Sequence, residues 1–204
     1  LITCVAQTTP INCPAMPMWN TATATDACDM TVAITFSDAS TAGTCAGTSS
    51  NTRTWTATDD CGNSSTCSAT IVVQDVTAPS ITCQTQTTPI DCPSAPSWVS
   101  ATATDACDAT VAITFTDNTV NGSCVGTYTT TRTWTATDDC ANSSTCSRSI
   151  TVVDTTKPII TCQAQVTPIN CPAAPVWVSA TATDACDASV AITFTDNTVN
   201  GSCV

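Results

Sequence analysis

Small apolar residues and hydroxyl-bearing residues alternate along much of this chain. The alternation is clearest in four stretches, at residues 99–104, 111–116, 131–137 and 148–153. Because successive side chains of a strand point to opposite faces of a sheet, a period of two predicts β-strands. We find no stretch whose apolar residues recur at the 3.6-residue spacing of a helix. The pattern therefore predicts an all-β chain.

The chain is a tandem repeat with a 79-residue period. Cys4, Cys83 and Cys162 are separated by this spacing, and residues 80–125 and 159–204 differ at only seven of 46 positions. We expect the chain to be a window on a longer array; the alternative is that a strand from another copy completes the last domain. The sequence predicts two complete domains and the first strands of a third, called here the first, second and third repeats: residues 1–79, 80–158 and 159–204.

Each complete repeat is predicted to be a small β-sandwich. Six or seven short strands fit into one repeat, with prolines and the Asn121-Gly122 pair as turn signals. The core is thin, since a complete repeat has two tryptophans and one phenylalanine besides valine, isoleucine and alanine. A domain of this size and composition needs a further source of stability.

Disulfide bonds are the expected source of that stability. Sixteen cysteines are far more than ordinary usage and indicate an oxidised, secreted framework. Six cysteines in each complete repeat allow three bonds, each contributing about 2–4 kcal/mol, but they also allow 15 pairings. The preferred pairing is sequential, which gives Cys4–Cys13, Cys28–Cys45, Cys61–Cys67, Cys83–Cys92, Cys107–Cys124, Cys140–Cys146, Cys162–Cys171 and Cys186–Cys203.

The main alternative pairing joins Cys107 to Cys140. Both cysteines end an Ala-Thr-Asp-x-Cys motif, and the two motifs are expected on neighbouring loops. No two cysteines have the C-x-x-C spacing of a zinc ribbon or of a thioredoxin-like redox site. A metal or redox role for the thiols is therefore disfavoured.

Composition excludes several functions. The chain has no histidine, so neither a Ser-His-Asp nor a Cys-His catalytic pair can be built, and we expect no enzymatic activity. A net charge of -12 with four basic residues argues against binding nucleic acid or anionic lipid. The uncharged stretches are rich in threonine, serine and proline, so no membrane insertion is predicted.

Two of the four basic residues precede a tryptophan by two positions. Arg53 precedes Trp55, and Arg132 precedes Trp134. Residues two apart share a strand face, so we expect each arginine to stack on an aromatic ring or to pair with an aspartate.

The linker and hairpin motifs resemble a known family. The segment Asp154-Thr155-Thr156-Lys157-Pro158, the Ala-Thr-Asp-Ala-Cys-Asp motif and the Thr-Trp-Thr-Ala-Thr-Asp-Asp-Cys-Ala-Asn-Ser-Ser-Thr-Cys motif resemble hyalin-repeat (HYR) domains. They are more closely similar to the cysteine-rich HYR-like arrays of large Bacteroidota surface proteins, including gliding adhesins. The resemblance covers essentially the whole chain. It implies immunoglobulin-like β-sandwiches that act as extracellular adhesion or stalk modules without catalytic activity.

One departure from the family pattern concerns the cysteines. Many HYR units have Cys-Pro after the first strand, whereas this chain has Cys83-Gln84 there and Cys92-Pro93 further on. A family disulfide pattern is therefore not transferred to this chain.

Most aspartates fall at three places in each repeat, namely the linker and two loops. In an immunoglobulin-like sandwich those loops lie where the first strand enters, so the linker Asp75 should lie beside the loop aspartates of the second repeat. Crowded carboxylates repel one another unless a cation compensates, and calcium prefers six to eight oxygen ligands. The alternative is that these aspartates only form Asx turns. The candidate calcium ligands are Asp75, Asp105, Asp108, Asp138, Asp139, Asp154, Asp184 and Asp187, with Asp26, Asp29, Asp59 and Asp60 as their equivalents in the first repeat.

Two classes of function remain. The first is an extracellular structural protein, a rod-like array that forms a stalk, fibre or adhesin shaft at the cell surface. Its partners would be other copies of itself or further repeats of the same chain. The second is a binding module that recognises glycans or proteins through its loops or threonine-rich faces. Binding to ice is less favoured, because Thr102 and Thr104 should lie on the sheet opposite residues 131–137.

Overall fold

A computed structural model describes residues 1–165, 167, 169–170 and 173–199. Every regular element in these ranges is a β-strand, and the strands form several sheets. The prediction of a disulfide-rich, all-β fold is confirmed. Within the same ranges, no helix has the length and hydropathy needed to span a membrane.

The first repeat contains two sheets. The larger has four strands in the order β2-β6-β5-β4, with β5 antiparallel to both neighbours and β2 parallel to β6. The smaller is the antiparallel pair of β1 and β3. The strands are β1 (Ile2–Thr3), β2 (Ile11–Asn12), β3 (Thr23–Ala24), β4 (Ala33–Ala42), β5 (Ser49–Thr58) and β6 (Ser64–Gln74).

The strands that follow have the same arrangement. A four-stranded sheet has the order β10-β11-β12-β8, and two antiparallel pairs are formed by β7 with β9 and by β13 with β14. The strands β10, β11 and β12 occupy the positions that correspond, one repeat later, to β4, β5 and β6. Their bounds are β7 (Ser80–Thr82), β8 (Ile90–Asp91), β9 (Thr102–Thr104), β10 (Ala112–Asn121), β11 (Tyr128–Thr137), β12 (Ser143–Val153), β13 (Ile159–Thr161) and β14 (Thr181–Thr183).

The core of the first repeat lies between its two sheets. Ile2, Ala22, Trp55 and Ala57 form a buried cluster, so the β1–β3 pair covers one face of β5. The ring of Trp19 meets the ring of Trp55 edge-on, with the two centroids 5.9 Å apart. The predicted alternation of buried and exposed side chains is therefore present at the C-terminal end of β5, where Trp55 and Ala57 enter the core.

The edge strand β4 departs from this pattern. All ten of its residues are exposed, including Phe36, although its sequence alternates as β5 does. The small sheet has only two strands, and the buried cluster it covers draws its large-sheet residues from β5. The alternation thus predicts the strand correctly. The apolar face of β4 stays exposed because the small sheet, which would have to cover it, does not extend that far.

The chain divides into two compact units. The first contains Leu1–Gln84, Ser100–Thr116 and Thr133–Ser147, and the second contains Thr85–Val99, Asp117–Arg132 and Arg148–Val204. Each unit takes residues from two of the predicted repeats. The structure around the linker between the first and second repeats therefore lies within the first unit.

Candidate functional site: the repeat junctions

One kind of disulfide bond closes each complete repeat on itself. Cys4, next to β1, is bonded to Cys67 in β6, and their Cα atoms are 5.8 Å apart. Cys67 is also the cross-strand partner of the buried Trp55. In the second repeat, Cys83 is bonded to Cys146 with the same sequence separation of 63 residues. These bonds join the small sheet to the large sheet beside the core.

A second kind of disulfide bond joins one repeat to the next. Within the first compact unit, Cys13 is bonded to Cys107 and Cys45 to Cys140, with Cα–Cα distances of 5.8 and 5.2 Å. The two bonds span 94 and 95 residues of sequence. Two covalent links thus connect the first repeat to the second in addition to the peptide linker.

The second compact unit contains a matching bond. Cys92 is bonded to Cys186, again with a sequence separation of 94, and the Cα atoms are 5.8 Å apart. Cys92 and Cys186 are the equivalents, one repeat later, of Cys13 and Cys107. The second repeat is therefore linked to the third through the same pair of positions that links the first to the second.

The predicted sequential pairing is wrong for the cysteines that form these bonds. Cys4, Cys13, Cys45, Cys67, Cys83, Cys92, Cys107, Cys140, Cys146 and Cys186 all bond to partners other than their nearest neighbours in sequence. The alternative Cys107–Cys140 bond is also absent, since both residues bond to the first repeat. Short loops cost less entropy to close, but a bond also needs Cα atoms within about 7 Å, and the fold provides that between distant segments.

Four cysteines of the described ranges form no disulfide bond. They are Cys28, Cys61, Cys124 and Cys162, and all four are exposed. The predicted partners Cys171 and Cys203 lie outside the described residues.

A glycine permits the close contact at the first junction. Gly47 has a φ of 71°, and a Cβ built on it would lie 2.9 Å from Cβ of Cys107 and 2.8 Å from Sγ of Cys13. Gly126 has a φ of 76° and is equally close to Cys186. A Cβ placed on Gly126 would lie 2.9 Å from the carbonyl oxygen of Cys186. In both units a Cys-x-Gly loop approaches the cysteine of the following repeat.

Aspartates hold in place the two loops of the second repeat that carry Cys107 and Cys140, called here the receiving loops because their cysteines bond to the first repeat. The Oδ1 atom of Asp105 accepts hydrogen bonds from the backbone N–H groups of Cys107 and Asp108, at 2.7 and 3.1 Å. The Oδ2 atom of Asp108 accepts from the N–H of Asp139, at 2.9 Å, and so joins the loop of Cys107 to the loop of Cys140. Asp108 is almost fully buried, and its hydrogen bonds from the N–H groups of Thr110 and Asp139 lower its pKa. These aspartates form Asx turns and also connect the two loops.

The linker between the first and second repeats, residues 75–79, is held by side chains next to the Cys140 loop. Asp138 is buried and accepts hydrogen bonds from the N–H and side-chain amide of Asn142. The Asn142 amide also donates to the carbonyl oxygen of Asp75, and the Ser144 hydroxyl donates to the carbonyl oxygen of Pro79. Asn142 and Ser144, around the start of β12, thereby bind both ends of the linker that enters the repeat.

Asp75 itself is buried beside Asp105. Its Oδ1 atom accepts hydrogen bonds from the N–H and hydroxyl of Thr77, at 3.0 and 2.8 Å. Its Oδ2 atom is buried and has no hydrogen-bond partner. Ligand atoms of Asp75, Asp105 and Cys107 all lie within 4.8 Å of one another. Of the predicted calcium ligands at this junction, the structure brings these two carboxylates together.

The remaining predicted ligands lie in comparable turns. Asp29 accepts hydrogen bonds from the N–H groups of Thr31 and Asp60, which lower its pKa. Asp59 has its pKa lowered by hydrogen bonds from Asn63. The Oδ1 atoms of Asp26, Asp154, Asp184 and Asp187 accept hydrogen bonds from backbone N–H groups two residues further along the chain. Asp154 also lies within 4.8 Å of Cys92 and Cys186.

The arginines form ion pairs and stack on aromatic rings. The Nε and Nη2 atoms of Arg53 donate to the two carboxylate oxygens of Asp38, each at 2.6 Å. The guanidinium carbon is 3.8 Å from the centre of the Phe36 ring and 5.2 Å from that of Trp19. Arg132 binds Asp117 in the same way and lies 4.9 Å from the Trp98 ring. The expectation of paired or stacked arginines is confirmed.

Threonine hydroxyls bond to one another across strands. Thr52 and Thr70 are 2.9 Å apart, and Thr131 and Ser149 are 2.7 Å apart. Thr102 and Thr104 lie in the two-stranded sheet, whereas residues 131–137 lie in the four-stranded sheet. As expected, the two threonine rows do not share one sheet, so the arrangement offers no support for ice binding.

No protein-family model matches the chain, and no curated protein sequence is significantly similar to it.

Sequence reasoning missed the bonds between repeats. It treated each repeat as a closed set of six cysteines, and nothing in their spacing marks a partner in the next repeat. One signal was the position of each cysteine relative to the predicted strands. Cys107 and Cys140 lie next to loop aspartates, whereas Cys146 lies within a strand. Loop cysteines at a domain end are free to meet another domain, but a strand cysteine facing the core is not.

Proposed function

We propose that this protein is an extracellular structural module whose repeats are joined covalently to make a shaft, stalk or fibre at a cell surface. The observation that carries the proposal is the pair of bonds Cys13–Cys107 and Cys45–Cys140, which cross from one repeat to the next. Binding modules do not need such links, but a chain that transmits force between its domains benefits from them.

Three connections at one junction restrict bending. The linker between β6 and β7 comprises five residues, 75–79, and by itself spans at most about 17 Å when extended. Two separate disulfide bonds added to this linker remove most rotation of one repeat about the other. Tension applied along the chain is then shared by three covalent paths instead of one.

The disulfide content supports a location outside the cytoplasm. Such bonds form and persist in oxidising compartments, and thiols in the cytosol are kept reduced. The part of the chain that the structure describes contains five bonds and a core built mainly from alanine, valine, isoleucine and tryptophan, which fits small secreted domains that rely on cross-links. The resemblance to HYR-like adhesin arrays is consistent with the same location.

The proposal is tested by comparing the oxidised chain with a C13S/C45S variant in electron micrographs. We expect a narrow distribution of angles between the first and second repeats in the parent chain and a distribution at least twice as wide in the variant. A C28S/C61S variant is the control, because those cysteines form no bond. Equal angular distributions in all three proteins would contradict a mechanical role for the junction bonds.

The location is tested separately. Antibodies raised against the chain should label intact cells of the source organism, and protease added outside the cells should remove the label. Labelling that requires permeabilised cells would rule out the extracellular role.

A further inference from the structure

The first repeat has two loops that match the receiving loops of the second repeat. Residues 22–29 are identical to residues 101–108, and residues 52–61 recur at 131–140. The hydrogen bonds match as well: Asp26 accepts from Cys28 as Asp105 does from Cys107, and Asp29 accepts from Asp60, at 3.0 Å, as Asp108 does from Asp139. The loops are thus already folded in the geometry that receives two cysteines.

These loops differ from their counterparts in that their cysteines form no disulfide bond. Cys107 and Cys140 are bonded to the preceding repeat, whereas Cys28 and Cys61 are exposed and unbonded. Asp108 is buried, but the equivalent Asp29 is only half-buried. This position is therefore more buried in the second repeat, which has a preceding repeat bonded to it, than in the first.

A cleft beside the same loops matches the path of the linker. It is lined by Asp26, Asp59, Asn63 and Ser65, among others. Asn63 and Ser65 are the equivalents of Asn142 and Ser144, which bind the two ends of the linker in the second repeat. The cleft therefore has the hydrogen-bond donors needed to hold a linker of the same kind.

We propose that this face, made of the loops at residues 26–31 and 59–63, docks a preceding repeat of the same kind and bonds to it covalently. The preceding repeat would supply a linker to the cleft, the equivalent of Cys13 to Cys28 and the equivalent of Cys45 to Cys61. This inference rests on the proposed function and names the partner that the shaft takes up at this face.

The experiment places an added copy of residues 80–158 directly before Leu1 of the full chain. This preserves the 79-residue spacing, because Pro158 then precedes Leu1 as it precedes Ile159. Free thiols are alkylated without reduction, and disulfide-linked peptides are mapped by mass spectrometry. Cys28 and Cys61 are identifiable, since Met30 and Gly62 follow them where the second repeat has Ala109 and Ala141.

We expect Cys28 to be bonded to the added copy of Cys92, and Cys61 to the added copy of Cys124. Alkylation of both should fall at least tenfold relative to the unextended chain. Changing those two cysteines of the added copy to serine is the matched control and should restore alkylation.

The docking proposal is overturned if Cys28 and Cys61 remain alkylated in the extended chain, bond to each other, or bond to a second molecule. The Cys4–Cys67 peptide in the same digest shows that the first repeat is folded. The Cys13–Cys107 peptide reports on the proposed function, so that loss of docking alone is distinguishable from failure of the junction bonds.

A separate observation concerns the buried carboxylate of Asp75. Its side chain is more than nine-tenths buried, its Oδ2 atom has no hydrogen-bond partner, and Asp105 and Cys107 lie within 4.8 Å. Removing a carboxylate oxygen from water without a partner is unfavourable, and a second carboxylate nearby increases the cost. Two of the four basic residues, Arg53 and Arg132, are bound to aspartates elsewhere.

We propose that a calcium ion binds between the carboxylates of Asp75 and Asp105. The sulfur of Cys107 is in a disulfide bond and does not act as a ligand, so the site offers only oxygen, which suits a hard cation. Water and backbone carbonyl groups would complete the coordination. Asp154, which lies beside the Cys92–Cys186 bond, marks the equivalent position in the second unit.

Calcium binding is measured by isothermal titration of the full oxidised chain with calcium chloride, and melting is compared in calcium and in EDTA. We expect binding and a higher melting temperature in calcium, and a D75N/D154N variant should bind at least tenfold more weakly. D26N is the matched control, because Asp26 is the equivalent of Asp105 in the first repeat; its binding should equal that of the parent.

The site is overturned if the parent chain binds no calcium and melts at the same temperature in both solutions. It is also overturned if D75N/D154N binds calcium as the parent does. Far-ultraviolet circular dichroism of the variant shows whether it is folded.

Discussion

Gly47 of the first repeat lies directly against Cys107 of the second. A Cβ at Gly47 would be 2.9 Å from Cβ of Cys107, which is closer than side chains approach in folded proteins. The φ of 71° at Gly47 belongs to the left-handed region that other residues rarely adopt. One residue thus provides both the turn and the close approach that the junction bonds require.

Replacing Gly47 with alanine should prevent the junction from closing properly. We expect G47A to lower the yield of the Cys13–Cys107 bond at least severalfold in the oxidised protein, because the added methyl group displaces the loop. Peptide mapping of disulfides measures this. G62A is the matched control, since Gly62 has a φ of 86° but nothing within 4 Å of its built Cβ. If both variants form the bond equally well, the close contact is unimportant.

The junction bonds should hold the repeats together after the linker is cut. We expect a chain carrying a protease site between Val76 and Thr77 to remain one species on a non-reducing gel after cleavage, because Cys13–Cys107 and Cys45–Cys140 cross the cut. Adding C13S/C45S should release two fragments. Separation of the fragments in the parent chain would show that the bonds do not form between repeats.

The bond within the first repeat should contribute to the stability of its fold. We expect a C4S/C67S variant to lose about 4 kcal/mol of unfolding free energy, the chain-entropy estimate for a closed loop of this length. Denaturant unfolding followed by Trp fluorescence measures the loss. The C28S/C61S variant should unfold as the parent does, and an equal loss in both variants would argue for a general effect of serine substitution.

Arg53 should stabilise the large sheet on the face that carries the buried Trp55. We expect R53K to lower the melting temperature by about 2–4 °C, because lysine cannot keep both hydrogen bonds to Asp38 while stacking on Phe36. D38N removes the charge but leaves the stacking, so it should cost less. A larger loss in D38N than in R53K would show that the ion pair, and not the stacking, is the main contribution.

Acid should destabilise the protein below about pH 5, where aspartates of the unfolded chain begin to take up protons. Five aspartates have lowered pKa values in the folded chain because they accept hydrogen bonds, and in the unfolded chain they regain ordinary values. Their contribution is therefore complete above the unfolded pKa and is lost as the pH falls through the lower folded values. These residues are Asp29, Asp38, Asp59, Asp108 and Asp117.

Thermal melts from pH 7 to pH 2 measure the acid effect. The melting temperature should be nearly constant down to about pH 5 and then fall. A melting temperature that is constant or rises below pH 4 would contradict the assignment of these hydrogen bonds. Disulfide bonds do not titrate, so they are the same throughout the series.

The local structure could be predicted from the sequence because it depends on neighbouring residues. Alternation along residues 131–137 predicts a strand, and the structure has one at Tyr128–Thr137. The motif around Asp105 predicts an Asx turn, and its carboxylate accepts from Cys107 and Asp108. These features involve contacts within a few residues, and a short stretch of sequence contains all of the interacting groups.

The candidate site could be predicted only in part. The order of elements placed Asp75 near the loops of the second repeat, and the structure brings it to Asp105. It did not show that Asp108 and Asp138 would be satisfied by Asp139 and Asn142. Which carboxylate oxygen remains without a partner depends on side-chain positions that no pattern of residues specifies.

By itself, the sequence determined the class of fold, the regular spacing of the repeats and the need for an oxidising compartment. Only the tertiary structure decided which cysteines bond. Sequence reasoning favoured sequential pairs such as Cys4–Cys13, whereas the fold brings Cys4 to Cys67 and Cys13 to Cys107. A disulfide bond forms where two sulfur atoms meet, and that depends on how sheets and loops of different repeats lie together, not on the number of residues between them.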